Sequence, residues 1–198
     1  MLLKNPAGGM PRVCDTAYIS ESAVIIGNVE IKGDVYIAPN TTIRADEPGS
    51  AIKIESGCNI QDNVVIHALG GSAVVAGKNT SLAHGCIVHG PCTLGENCFI
   101  GFGSVVFNCM LGDHCVILHR TLVKNVKIST RRLIEDGAVV NKQCIADCLG
   151  EVTADISDFV GRVVRTNLVL TRSYYKLGRD SRSISAFRSV IISNSYKI

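Results

Sequence analysis

Large aliphatic residues recur along the chain at every sixth position: Ile19, Ile25, Ile31, Ile37 and Ile43, then, after an interruption, Ile54, Ile60 and Ile66. After a second interruption the series resumes with Ala76, Leu82, Val88, Leu94, Ile100 and Val106, and a one-residue slip leads to Leu111, Ile117 and Val123. The fourth residue after each is usually small, as at Ala23, Thr41, Cys58, Thr80, Cys86, Cys92, Cys98, Ser104, Cys115 and Thr121. Turn formers such as Gly27, Gly33, Gly77 and Gly95 fall between. A short fixed period is the mark of a stacked-repeat architecture. Each unit would turn one large and one small side chain into a shared core.

Such a unit resembles the hexapeptide repeat of left-handed β-helices, in which three units make one triangular coil and coils stack at the inter-strand spacing of roughly 4.8 Å. The series predicts between five and six coils, and the β-helix domain is expected over 13–150. From Asp155 the period changes: Ile156, Phe159, Val160, Val163 and Val164 recur at three and four, an amphipathic helix that Thr153 or Asp155 would cap. A helix over 151–178 is expected to lie along the prism. The Ser-rich, basic stretch 179–198, with a short apolar run at 190–192, reads as a tail or an added strand. The fold class is mainly β: a left-handed parallel β-helix with a C-terminal α-helix, assembled as a homotrimer.

Composition adjusts this picture little. The chain has 198 residues, 46% hydrophobic and 19% charged, with 5% aromatics and no Trp, which favours strands and tight turns over helical bundles. A formal charge of +3 is too mild to argue for nucleic acid or membrane partners. No apolar run approaches the ~20 residues that span a bilayer, and MLLKNPAGGMPRV lacks the apolar segment of a signal peptide. A soluble, cytoplasmic protein is expected. Of nine cysteines, Cys58, Cys86, Cys92, Cys98 and Cys115 take the small inward position, where a thiol acts as a small hydrophobe. Cys98 and Cys115 fall one coil apart on the same edge, within reach of a disulfide; Cys144 and Cys148 receive no role.

The repeat gives the histidines meaning. His67 follows Ile66 and His89 follows Val88, three units apart once the interruption is removed, so the two stack one coil apart on one face. Imidazoles so placed can share a metal ion, since Zn–N bonds are about 2.0–2.1 Å. His84, five residues before His89, lies on the preceding side of the coil and cannot reach that site in its own chain. A second copy packed about a threefold axis would supply it. One coil below, Arg44 stacks beneath His67 and Asp62 beneath His84, so the same packing would pair Arg44 with Asp62 across the interface. His114 and His119 show no comparable partner and read as surface.

The stretches IRADE (43–47), NIQDNVVIHAL (59–69), SLAHGCIVHGP (81–91) and FIGFGSVVFN (99–108) resemble the γ-class carbonic anhydrases, both the archaeal enzyme and the homologous N-terminal domain of the carboxysome scaffold protein. The resemblance implies a trimer with zinc or iron(II) at each interface, held by His67, His84 and His89 with the middle one from the neighbouring chain. It further implies an active-site carboxylate at Glu47 and a water-positioning amide at Gln61. Arg44, Asp46 and Asp62 would form an interface network, with Asn59 near the site and Asn167, in RVVRTNLVL, on the capping helix. The chain departs from the family where ALGGSAVVAGKNTS carries no acidic proton shuttle, and where Arg165 stands two residues before Asn167 in place of a tyrosine.

Three neutral imidazoles leave a coordination position open, the mark of a catalytic site. The implied reaction is reversible hydration of CO2 to bicarbonate by a metal-bound hydroxide at the trimer interfaces. Glu47 would take the proton and Gln61 orient the hydroxide. Two alternatives belong to other classes: a non-catalytic scaffold or bicarbonate-binding trimer, and a hexapeptide acyltransferase.

Overall fold

The computed structural model describes the backbone of residues 1–194 and the side chains of residues 1–177. Short parallel strands stack into a three-faced β-helix of seven coils, counted on the face that forms a separate seven-stranded sheet. That face, here the second, stacks Ile19, Ile37, Ile60, Leu82, Ile100, Ile117 and Ile134 in strict register. The first face carries Val13, Ile31, Ile54, Ala76, Leu94, Leu111 and Ile128. The third carries Ile25, Ile43, Ile66, Val88, Val106, Val123 and Val140.

The expected five to six coils are therefore an undercount. A second one-residue slip, from Val123 to Ile128, hides the last coil from a strict period of six, yet Ile128, Ile134 and Val140 are as buried as their predecessors. Leu2–Leu3 adds a further rung beneath Ile25 and Ile26 on the third face.

The turns explain the polar part of the repeat. The third residue after the inward aliphatic has a left-handed backbone at Asp34, Asn40, Asn63, Asn79, Asn97 and Gly103, a conformation that Asn, Asp and Gly adopt most readily. His114 (φ 59°), also a residue enriched there, and Arg120 (φ 55°), which is not, take the same place. At Gly77 the constraint is space: a Cβ there would lie 2.5 Å from the Gly95 carbonyl. The small inward residues, including the five cysteines, are buried as expected, and burial pushes the Cys58, Cys86 and Cys92 thiols up to about 12. Cys98 and Cys115 stack but remain free thiols.

The outward positions differ from face to face. The first is polar in its early coils, with ion pairs Glu30–Lys32 and Lys53–Glu55, while Val75 and Met110 also point outward there. The second presents Tyr18, Tyr36, Asn59, Ser81, Phe99, Val116 and Leu133, and a helix covers it. After a short helix α1 (Gln143–Asp147), helix α2 (Ala154–Asn194) starts where Thr153 Oγ1 accepts the Ile156 amide at 3.4 Å. Ile156, Val160 and Val163 pack on Phe99, Val116 and Leu133 near the late coils. Fourteen residues on from Val160, Tyr174 stacks on Tyr18 at 4.7 Å in the first coil. That run of about 21 Å at 1.5 Å per residue matches the height of four to five coils, so α2 descends the whole face.

The expected tail at 179–198 is not an added strand: its backbone continues the helix as far as Asn194, and residues 195–198 and the side chains past 177 lie outside the described residues. No described helix is long and apolar enough to cross a membrane.

Among the described residues nothing covers the third face. Val24, Thr42, Val65, Ile87, Val105, Leu122 and Val139 form one outward column along it, with Val65 and Ile87 each 37% and Val139 52% exposed. A contiguous aliphatic stripe of this kind is the signature of an association surface.

Candidate metal centre

Beside the aliphatic stripe runs a second column in register: Ile26, Arg44, His67, His89, Phe107 and Lys124. The structure thus stacks His67 on His89 and Arg44 beneath His67, as the repeat predicts. His67 Nδ1 stands 3.0 Å from His89 Nε2. Two nitrogen ligands of a tetrahedral zinc with bonds of 2.0–2.1 Å are about 3.3 Å apart, so the pair fits one edge of such a site. His89 Nδ1 donates to the Gly90 carbonyl at 3.2 Å, which leaves the Nε2 lone pair directed at His67.

The other side of His67 is contested. Nε2 has Arg44 Nη2, which can only donate, at 3.2 Å and Glu47 Oε1, which can only accept, at 3.3 Å. With Arg44 in place, the proton of the neutral ring sits on Nδ1. If Arg44 is drawn away, Glu47 can hold that proton on Nε2 and free Nδ1. Burial, and then the Arg44 charge and His89, hold the His67 pKa below the ordinary histidine value against Glu47 and Asp46, which favours the neutral ring. Neutral imidazole is the form that binds metal.

Two short loops shape this corner. Residues 46–50 and 69–72 are the interruptions of the repeat, and they stack: Gly71 N donates to Pro48 O at 2.9 Å and Gly70 N to Glu47 Oε2 at 2.7 Å. Glu47 is thereby fixed by one oxygen with the other toward His67, its side chain 42% exposed. Asp46 lies 3.5 Å from Arg44, but its Oδ1 is buried without a hydrogen-bond partner. With only His67 Nε2 near it, at 3.8 Å, this buried carboxylate oxygen has room for a further donor or ion.

The remaining candidates gather elsewhere, at the corner between the second and third faces. His84 Nδ1 donates to Asp62 Oδ2 at 2.8 Å, which turns Nε2 outward; His84 is half exposed. A carboxylate on the far nitrogen is the usual way a metal-binding imidazole is oriented. Gln61 Nε2 donates to Asn167 Oδ1 at 3.0 Å and also to the buried Asn59 Oδ1. Both its hydrogens are used, so Gln61 presents its carbonyl oxygen, an acceptor. Asn167 in turn donates to Val163 O at 2.8 Å, so its evident work is to hold Gln61.

Arg165, two residues earlier and therefore about 200° round the helix, lies on the opposite flank. It folds over Gly161 and lines a cavity of about 280 Å³ with Asn97 and His114. It does not enter the candidate site.

The chain therefore carries two candidate half-sites, Arg44–Asp46–Glu47–His67–His89 and Asn59–Gln61–Asp62–His84–Asn167. Among the described residues no hydrogen bond or ion pair joins them, and no group of three or more His, Cys, Asp or Glu in one chain could hold a metal ion. Sequence reasoning missed the rings above each half-site. Phe102 lies 5.4 Å from His84, Phe107 lies 5.3 Å from His89, and His119 is stacked on Phe102. Phe102 stands two after Ile100, as His84 stands two after Leu82, so extending the same register by one coil would have found it.

Comparison with known proteins agrees with this architecture. Residues 74–108 match the bacterial transferase hexapeptide (six repeats) family. The chain is 38% identical over 191 residues to the carbonic anhydrase of Methanosarcina thermophila, covering 86% of this chain and 77% of that one. It is 37% identical over 188 residues to the carboxysome assembly protein CcmM of a Nostoc species, covering 90% of this chain but only 34% of CcmM. A crystal structure of a hexapeptide transferase family protein from Anaplasma phagocytophilum superposes with a TM-score of 0.75 at 28% identity, covering 88% of this chain and 98% of that one. With a β-helix of hexapeptide units and a relative of this identity matched over most of its length, the chain belongs to the γ-carbonic anhydrase family.

Proposed function

We propose that three copies of the chain assemble through the bare third face, join the two half-sites across each interface, and hydrate CO2 reversibly to bicarbonate. The observation that carries this is the complementarity of the half-sites. One chain supplies two stacked imidazoles at the ligand spacing, and another corner supplies a third, already turned outward by Asp62. His67 and His89 of one chain with His84 of the partner subunit would hold a divalent cation, zinc or iron(II). Such a cation, as a Lewis acid, brings the ionisation of water into the neutral range.

The protein's own groups would do the rest. In the assembled site Arg44 meets Asp62 of the partner subunit, leaving His67 Nε2 to donate to Glu47 and Nδ1 free to bind. Gln61 offers its oxygen to a water or bicarbonate hydroxyl. Half-exposed Glu47 takes the released proton at Oε1 and returns it to solvent. The absence of a carboxylate in residues 68–81 leaves it the nearest relay. Phe102 and Phe107, one coil above their histidines, would close the site on one side with an apolar ceiling suited to CO2.

The test is oxygen-isotope exchange between CO2 and water on anaerobically purified protein of known metal content. A rate well above background, lost in His84→Ala, supports the reading. A metal-replete trimer with no rate would favour the second reading, a bicarbonate-binding or scaffolding trimer. That reading has support in the resemblance to CcmM, a carboxysome assembly protein, of which this chain spans about a third.

A further inference from the structure

The corner that bears His84 continues upward as a column of turns tied to one another. Gly85 N bonds Asp62 O, Gly103 N bonds His84 O, Arg120 N bonds Phe102 O and Gly137 N bonds His119 O, all at 2.8–3.0 Å. The side chains follow the backbone. Phe102 is 47% exposed, an unusual position for a large ring, yet it is held from above: its ring lies on His119 with centroids 4.3 Å apart and planes at 14°, a parallel stack. The Phe102 amide donates to His119 Nδ1 at 2.9 Å, and the His119 amide donates to Asp136 Oδ1 at 2.7 Å. An amide can only donate, so the neutral His119 ring carries its proton on Nε2 and is fixed in tautomer and orientation. From the side, Phe99 meets His119 edge-on at 6.4 Å and is itself braced by Phe159 of α2 at 5.6 Å.

Below this stack, His84 has few restraints of its own. It is half exposed and makes one side-chain hydrogen bond, to Asp62. The Phe102 ring, tilted 34° at 5.4 Å, is the second wall against which the imidazole rests. His119 stands two coils from His84, roughly 9–10 Å at the coil spacing, too far to share a metal with it.

We propose that His119 is a positioning residue for His84, acting through Phe102. The inference rests on the reading of His84 as a metal ligand. His119 anchors Phe102 by a stack and a backbone hydrogen bond, and Phe102 confines the His84 imidazole so that Nε2 keeps its aim when the partner subunit docks. The histidine thus works at the site without touching metal or substrate.

Three variants of the full-length protein separate the two anchors. His119→Ala removes both, His119→Phe keeps the stack, and His119→Asn keeps an acceptor for the Phe102 amide. Two readouts are needed: the order of the His84 ring by NMR in metal-free protein, and Zn(II) affinity with the Co(II) absorption spectrum in metal-loaded protein. In His119→Ala the His84 ring signals should broaden or shift. Its Zn(II) affinity should fall about tenfold, the low end for loss of a residue that supports a metal ligand, with assembly and melting temperature retained. His119→Phe and His119→Asn should fall between it and wild type. Unchanged His84 signals in all three would overturn the proposal. If wild-type protein binds no metal, the reading of the site fails, while the metal-free NMR comparison still decides whether His119 holds His84.

Discussion

At the scale of single residues, the candidate site is a set of imidazoles whose free nitrogens are chosen by what holds the other one. Asp62 holds His84 at 2.8 Å and Gly90 O holds His89 at 3.2 Å, each on Nδ1. Asp62→Ala should therefore leave the fold intact while lowering metal affinity 10- to 100-fold, the usual cost of losing a ligand's carboxylate partner; a chelator competition measures it. Asp62→Asn, which keeps an acceptor but not the charge, should lose less. Glu47→Ala removes the acceptor for His67 Nε2 and should weaken metal binding; saturated with metal, it should still lose about 10²-fold in CO2 exchange at low buffer, with recovery as a small buffer is added, because proton transfer typically contributes 10²–10⁴. Unchanged exchange at low buffer would remove Glu47 from the proton path.

The stacking of His67, His89 and Arg44 was legible because register is arithmetic in a repeat. What arithmetic could not show was the competition at His67 Nε2 between Arg44 and Glu47, or that Gln61 faces the site with its oxygen. The first depends on side-chain torsions, the second on contacts from nearby Asn59 and from Asn167, 106 residues further on.

At the scale of elements, one coil is the unit, and its demands fall on few positions. Ile60 sits fully buried between Ile37 and Leu82; Ile60→Ala should cost about 2–5 kcal/mol in chemical denaturation, as truncations of buried aliphatics do. Gly77→Ala should destabilise for a different reason, since its Cβ would meet backbone that cannot retreat without spreading two coils.

The period of six revealed the inward residues but not the ends of the domain. The shortened units after Val106 and Val123 break the count, and the rung at Leu2–Leu3 has no repeat at all. The helix is expected over 151–178 from the stripe between Ile156 and Val164; its later contacts carry no aliphatic stripe to read, and include Tyr174 on Tyr18 and Tyr36 and the ion pair Arg172–Asp34.

At the scale of the molecule, three faces have three destinies: one largely polar, one under α2, one aliphatic and uncovered among the described residues. The half-sites lie on the bare face and at its edge, so association and metal binding should be inseparable. Ile87→Glu, placed in the exposed column on the face that also carries His89, should dissociate the assembly in sedimentation and with it abolish metal binding. An Ile87→Glu monomer that still bound one metal per chain would refute a shared site.

The most direct measurement mixes two inactive proteins. His84→Ala lacks the outward half-site and His89→Ala the stacked one, so neither should exchange CO2 or bind a full complement of metal. Refolded or expressed together, they form mixed trimers in which one of the three interfaces is whole. Each mixed trimer should regain one tightly bound metal ion and about a third of the wild-type exchange rate, as three equivalent interfaces require. Mixed trimers that form but stay empty and inactive would show that the two half-sites do not belong to one centre.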